Sequence, residues 1–192
     1  MYMGQEHWVS VDLETAGTGT NAAIYSMGAV DFDPQTGQIL KRFYRNVDLQ
    51  SAIDSGGIVN GSTMEWWMKQ SDDARMALFK DQVSLAEALQ AFSAWFPQSG
   101  KLWGNGSNFD NRIIRESYDR LQLTCPFHFR NDMDLRTLHR MQKFLGTPEP
   151  QVTRVGTHHN ALDDAEFQAN LIFALTQSIK GSQKSIMGQK HL

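Results

Sequence analysis

The sequence predicts an α/β fold, a mixed sheet that opens with an antiparallel meander and is flanked by helices. Three observations carry this. Apolar and polar residues alternate through "HWVSVDLET", where Val9, Val11 and Leu13 are spaced by Ser10 and Asp12. Two more strand-like stretches, "AAIYSMGAVDFD" and "QILKRFYRNV", follow at once, joined by "DPQTGQ" with its turn residues Pro34 and Gly37. From Thr63 onward helical patterns alternate with short strands.

Each element has a local reason. "SAIDSGGIVNGS" reads as a loop. "STMEWWMKQS" reads as a helix capped by Ser62 or Thr63, with Glu65 in its first turn. "SLAEALQAFSAWF" is a stronger helix. Ser84 and Glu87 form a capping box, and Leu85, Ala88, Leu89, Phe92 and Trp95 make an apolar stripe that stops before Pro97. "KLWGNGSNFDNRIIRESYDRLQL" reads as a strand, a Gly/Asn turn and a helix. "FHFRNDMDLRTLHRMQKFLG" reads as a strand and a helix stopped by Gly146. The final helix starts near Asn160 and ends before Gly181, leaving 181–192 as a polar tail. Residues 1–180 are expected to form one domain, because no linker divides them.

Composition excludes several classes. One cysteine, Cys125, rules out an internal disulfide framework and a cysteine-rich zinc site. No apolar run reaches the roughly 20 residues that span a bilayer. The N-terminal stretch lacks the pattern of a secretory leader, so a cytoplasmic protein is expected. With 18 basic and 21 acidic residues the net charge is −3, which provides no global cationic field for nucleic acid. A local basic patch or bound metal can still neutralise a few phosphates.

Acidic residues recur at three places. Asp12 and Glu14 sit two apart on a strand and share a face. Two carboxylates side by side repel, so they need either a divalent cation or a solvent-facing edge. Asp110 sits at the start of a helix, where a negative charge also suits the helix dipole. In "VGTHHNALDDAEFQANLIFAL", His158 and Asp163 are five apart, and so are His159 and Asp164. At 100° per residue Ala161, Leu162, Ala165, Ala169 and Ile172 form the apolar face, with Asp164 at its margin and Asp163 turned toward solvent. The phase therefore favours His159 and Asp164, with His158 and Asp163 as solvated neighbours.

The stretches "VDLET", "NGSNFD" and "HNALDDA" together resemble the three motifs of the DnaQ-like DEDDh exonucleases. The matching residues are Asp12, Glu14 and Thr15, then Asn105, Phe109 and Asp110, then His159, Asp164 and Ala165. "TMEWWMKQSDDAR" and the chain length resemble the branch with mycobacterial-type RNase AS and phage-type exonuclease A, whose members tend to be homodimers. The resemblance implies an RNase H-like fold and 3′-5′ hydrolysis of single-stranded RNA or DNA ends to 5′-mononucleotides.

It also implies two Mg²⁺ or Mn²⁺ ions, held by Asp12, Glu14, Asp110 and Asp164, with Asp12 bridging. Glu14 and Asp164 serve the ion that holds the attacking water, and Asp110 serves the other. Two cations roughly 3.5–4 Å apart stabilise entering and departing oxygens of a phosphodiester. His159 is the implied general base, suited by a titration near neutrality.

Further expectations concern substrate. Thr15 would bond a terminal 3′-hydroxyl or backbone. Asn105 and Asn108 would touch the nucleotide or shape a turn. Trp66 or Trp67 would stack on a base or pack in the core. Arg112, Arg115, Arg136 and Arg140 would form a modest phosphate rim, and Asp132 and Asp134 would be structural. Two other functions fit the same residues: an oligoribonuclease-like enzyme for very short RNA, and a catalytically silent nucleic-acid- or partner-binding module.

Overall fold

The computed structural model describes residues 6–188, and side chains as far as residue 182. The polar-tail expectation for 189–192, and the opening five residues of the N-terminal stretch, lie outside the described residues. The architecture is α/β, with a five-stranded mixed sheet in the order β3-β2-β1-β4-β5. Strands β1 (Trp8–Thr15), β2 (Ile24–Phe32) and β3 (Ile39–Asn46) form the antiparallel meander. Strands β4 (Lys101–Gly104) and β5 (Asp132–Asp134) add on in parallel beside β1. β1 is therefore central, and both of its faces are covered.

Its alternation divides two cores. Val9, Val11 and Leu13 join Met27, Phe43, Leu89, Phe92 and Ile113 on one face, beneath α4 (Leu85–Trp95) and α5 (Asp110–Arg120). On the other face Val30, Phe32, Trp103 and Leu135 meet Ala169, Ile172 and Leu175 of α7 (Ala161–Gly188). Helix α6 (Leu135–Phe144) packs beside α7. The β1 side chains that turn toward α7 are Ser10, Asp12 and Glu14, so the alternation itself delivers both carboxylates under the last helix.

A glycine makes that approach possible. Gly28 lies opposite Asp12 on β2. A methyl group there would overlap the Ala161 carbonyl and the Leu162 nitrogen, so the first turn of α7 rests directly on the sheet.

Several local expectations are revised. The stretch read as a loop contains α1 (Leu49–Asp54), capped by Asp48, whose carboxylate accepts the Ser51 N–H at 2.9 Å. Helix α2 (Gly61–Met68) starts from Asn60 rather than from Ser62 or Thr63, and that cap makes no side-chain bond. A short α3 (Asp72–Ala77) follows, capped by Ser71. Helix α7 does not stop before Gly181 but continues to Gly188. Gly181 has open space around it and takes a helical conformation, at about 1 kcal/mol relative to alanine. The Ser84–Glu87 capping box is present as expected, and Gly146 (φ +67°) ends the α6 turn.

Gly28→Ala is predicted to destabilise the fold by roughly 3 kcal/mol, through overpacking at backbone that cannot yield. Chemical denaturation checks this; a loss under 1 kcal/mol would show that α7 can lift off the sheet without cost.

Candidate active site

Asp12, Glu14, Asp110, His159 and Asp164 line one cavity of about 450 Å³. β1 supplies the first two, the start of α5 the third, and the loop into α7 and its first turn the rest. The register of residues from opposite ends of the chain is thus set by the sheet and by the seat of α7 on Gly28.

Each side chain is held by a neighbour. Asp12 Oδ1 accepts from the Gln168 amide at 2.7 Å. Asp110 sits in the first turn of α5, but its Oδ1 accepts the Leu13 N–H of β1 at 3.2 Å, so it ties the helix to the strand. Asp164 Oδ2 accepts the His159 N–H at 3.0 Å, and its Oδ1 pairs with Arg154. Glu14 differs: its Oε1 is buried and has no hydrogen-bond partner. Glu14, His159 and Asp164 each offer an atom, all within 4.8 Å of one another.

These carboxylates cannot all be charged at little cost. Burial, then Asp164 and Asp110, pushes Glu14 up to about 8. Burial raises Asp110 to about 7, against the opposing Leu13 N–H bond and Arg136. Asp12 is held well above the carboxylate range by burial first, then by Asp110, Glu14 and Asp164. An orphaned buried oxygen among hard anionic donors is what a divalent cation fits, since it supplies the charge and the missing partner together.

His159 has φ +65°, a left-handed conformation uncommon outside glycine. The bend is held by its N–H on Asp164 and by Asn160 N–H to the Thr157 carbonyl at 3.2 Å. Its ring meets Trp66 edge-on at 4.8 Å. Burial, then His158, lowers the ring's pKa from the ordinary histidine value, against the opposing pull of Asp164.

His159 and Asp164 lie together in the cavity, and the neighbouring pair differs from expectation in one respect. Asp163 is not merely solvated: its Oδ2 accepts the Thr157 N–H at 2.7 Å, and a methyl on Gly156 would strike it. It anchors the loop that carries His159. His158 is exposed but lines the cavity, with its ring 3.9 Å from that of His159.

The other expected residues separate. Trp67 is buried and donates its Nε1–H to the Thr15 carbonyl at 2.9 Å, whereas Trp66 is 42% exposed. Thr15 donates to the Gly17 carbonyl at 2.8 Å and so secures a turn. Leu13, Thr15, Trp66, Trp67 and Phe109 line an adjoining apolar groove of about 400 Å³. Asn105 lines the acidic cavity, while Asn108 is exposed on the turn outside it.

The arginine rim is smaller than expected. Arg136 faces the cavity, but Arg112 pairs with Glu116 and Arg115 with Asp132 at 2.9 Å, and Arg140 lies outside the lining. Asp132 and Asp134 are structural, as expected: Asp134 caps α6 through the Thr137 N–H at 2.7 Å. Two cavity residues had been missed. Gln168 lies one turn beyond Asp164, a spacing that gives it away; Arg154 sits in an aperiodic segment and has no such signal.

Comparison with known proteins bears on the family and the fold. The family described as "3'-5' exoribonuclease Rv2179c-like domain" matches residues 7–176. An exodeoxyribonuclease of Enterobacteria phage T4 is 26% identical over 156 residues, covering 66% of this chain and 68% of the phage protein. The nuclease domain of 3'hExo, a DEDDh family member bound to rAMP, has the same fold. Its TM-score is 0.60 at 12% identity, over 91% of this chain and 94% of that one. E. coli ExoI, in a zinc-bound complex with single-stranded DNA, aligns at TM-score 0.60 and 16% identity over 96% of this chain; the chain spans 42% of ExoI. The chain belongs to the Rv2179c-like family of 3′-5′ exoribonuclease domains, and is thus a 3′-5′ exonuclease with the RNase H-like fold of the DEDDh enzymes.

Proposed function

We propose that this exonuclease removes 5′-mononucleotides from the 3′ end of single-stranded RNA, with two Mg²⁺ or Mn²⁺ ions and His159 as general base. The observation that carries this is the convergence of Asp12, Glu14, Asp110 and Asp164 on one cavity, with Glu14 Oε1 unpartnered. Asp12, Glu14, Asp110 and Asp164 would hold the metal. Bound there, divalent ions activate water and stabilise charge on the phosphoryl and leaving oxygens.

The protein's own groups do the rest. His159 takes one proton from the attacking water as the new oxygen–phosphorus bond forms and the bond to the 3′ oxygen breaks. The departing 3′ oxygen takes a proton and becomes the new chain end. Trp66, exposed beside His159, stacks on a base without choosing its sequence. Leu13 and Phe109 offer the terminal nucleotide an apolar groove that excludes water. Asn105 and Arg136 border the phosphate path; Thr15 positions the turn, and Asn108 on the same turn as Asn105 would meet the nucleotide only from outside the cavity lining.

The family description favours RNA over DNA, and the groove suits a chain end rather than an intact duplex. The same reading includes one domain over residues 1–180 and a homodimer, for which exposed Met141, Phe144 and Leu145 at the end of α6 supply apolar surface. Very short RNA remains within reach of the groove, and digestion across chain lengths measures that preference.

With Mg²⁺, labelled single-stranded RNA is predicted to be shortened from its 3′ end faster than DNA of the same sequence, and Asp12→Ala to abolish both reactions. Faster cleavage of DNA would overturn the substrate assignment, and binding without turnover would indicate a silent module. His159→Ala should lower kcat by about 100-fold or more while metal binding is retained, and His158→Ala by less than about threefold. Equal losses from the two changes would refute the assignment of the base.

Metal should also act on stability in a pH-dependent way. Glu14 and Asp110 hold protons in the folded metal-free chain that the unfolded chain releases near pH 4. The contribution of these two groups to stability is therefore fully present below that pH and is lost as pH rises toward 7–8, by up to about 1.4 kcal/mol per pH unit for each proton. A larger Mn²⁺-induced rise in Tm at pH 8 than at pH 5.5 is expected; an equal rise at both would contradict it.

A further inference from the structure

Arg154 is the side chain in the cavity that neither motif pattern nor helix phase accounts for. Its guanidinium pairs with Asp164 Oδ1, the oxygen left over after Oδ2 accepts the His159 N–H. It also lies over the Phe167 ring, with Cζ 4.2 Å from the centroid. Asp164 and Phe167 are three apart on α7 and so share a face, one holding the charge and the other the plane of the same group.

The setting is built for exchange. Arg154 belongs to residues 147–160, which form neither helix nor strand, and its side chain is 32% exposed. Val155 beside it is 79% exposed, and Gly156 turns at φ +89°. The guanidinium can thus leave Asp164 without unwinding any element. The pair joins a part-exposed guanidinium to a buried carboxylate, so it can open only on the Arg154 side, and when it opens Asp164 needs another counter-charge. A divalent cation beside Glu14 and Asp164 would compete with it for the same oxygen and repel its charge.

Once released, the guanidinium keeps its support on Phe167 and stays at the cavity shared with Arg136 and Trp66. Its planar fork matches two phosphate oxygens. We propose that Arg154 is the resident counter-charge of Asp164, that Asp164 exchanges it for metal, and that the freed guanidinium then grips the substrate phosphate. This rests on the metal-dependent reading of the same site. It makes Arg154 a substrate-binding residue that becomes available only when metal is present.

The test is calorimetric titration of Mn²⁺ into the metal-free full-length wild type, Arg154→Gln and Arg154→Lys, with steady-state kinetics on single-stranded RNA. Near-ultraviolet circular dichroism in Mn²⁺ confirms that each variant is folded. Arg154→Gln should bind Mn²⁺ about tenfold more tightly, because its competitor is gone. Its KM should rise about tenfold with kcat nearly unchanged, the sign of lost ground-state binding. Arg154→Lys retains the charge and should bind Mn²⁺ as the wild type does. Equal or weaker Mn²⁺ binding by Arg154→Gln would overturn the exchange, and an unchanged KM would overturn the phosphate contact. A wild type that binds no Mn²⁺ would instead bring down the metal-dependent reading itself.

Discussion

Repulsion among buried carboxylates is the constraint on which the rest of this structure depends. Asp12, Glu14, Asp110 and Asp164 arise from three elements and face one cavity, and burial holds three of them above the ordinary carboxylate range. A fold that needed only a stable core would place apolar side chains at these positions, as it does at Val9, Val11 and Leu13 on the opposite face of β1. The cost is borne by the site. Partial relief is already built in: the Gln168 amide serves Asp12, the Leu13 N–H serves Asp110, and Arg154 and the His159 N–H serve Asp164. Glu14 Oε1 has no such partner, and it marks where compensation from the protein runs out.

Positioning follows from two backbone features. The alternation of β1 sends Asp12 and Glu14 to the α7 side, and Gly28 lets the first turn of α7 lie on the sheet beside them. The bend before α7 then presents His159 to the same cavity. Asp163 and Asp164 divide the labour there, one fixing the loop at Thr157 and the other fixing His159 itself. Adjacent acids that look alike in the sequence thus serve opposite sides of one helix turn.

What was legible in the sequence depended on periodicity and on fixed spacing. The meander, the Ser84–Glu87 cap and the five acidic or basic motif residues each left a local pattern. The preference for Asp164 over Asp163 came from helical phase, and phase is a property of sequence alone. Illegible were features decided by contact: α1 and α3, each six residues long, owe their existence to caps and to single buried alanines, Ala52 and Ala74. The end of α7 was misplaced because glycine in open space is only a weak stop. Trp66 and Trp67 are adjacent and chemically alike, and only tertiary packing decides that one supports Thr15 while the other faces the cavity. Arg154 was invisible for the same reason, since its partners lie on a helix it does not belong to.

The central claim is that these carboxylates are a cation site rather than a strained cluster of acids. Anomalous diffraction at the manganese edge, from crystals soaked in MnCl₂, tests it most directly. The account predicts anomalous peaks between Asp12, Glu14, Asp110 and Asp164, with Glu14 Oε1 among the ligands. A cavity that holds only water at that edge, with Glu14 still unpartnered, would contradict it.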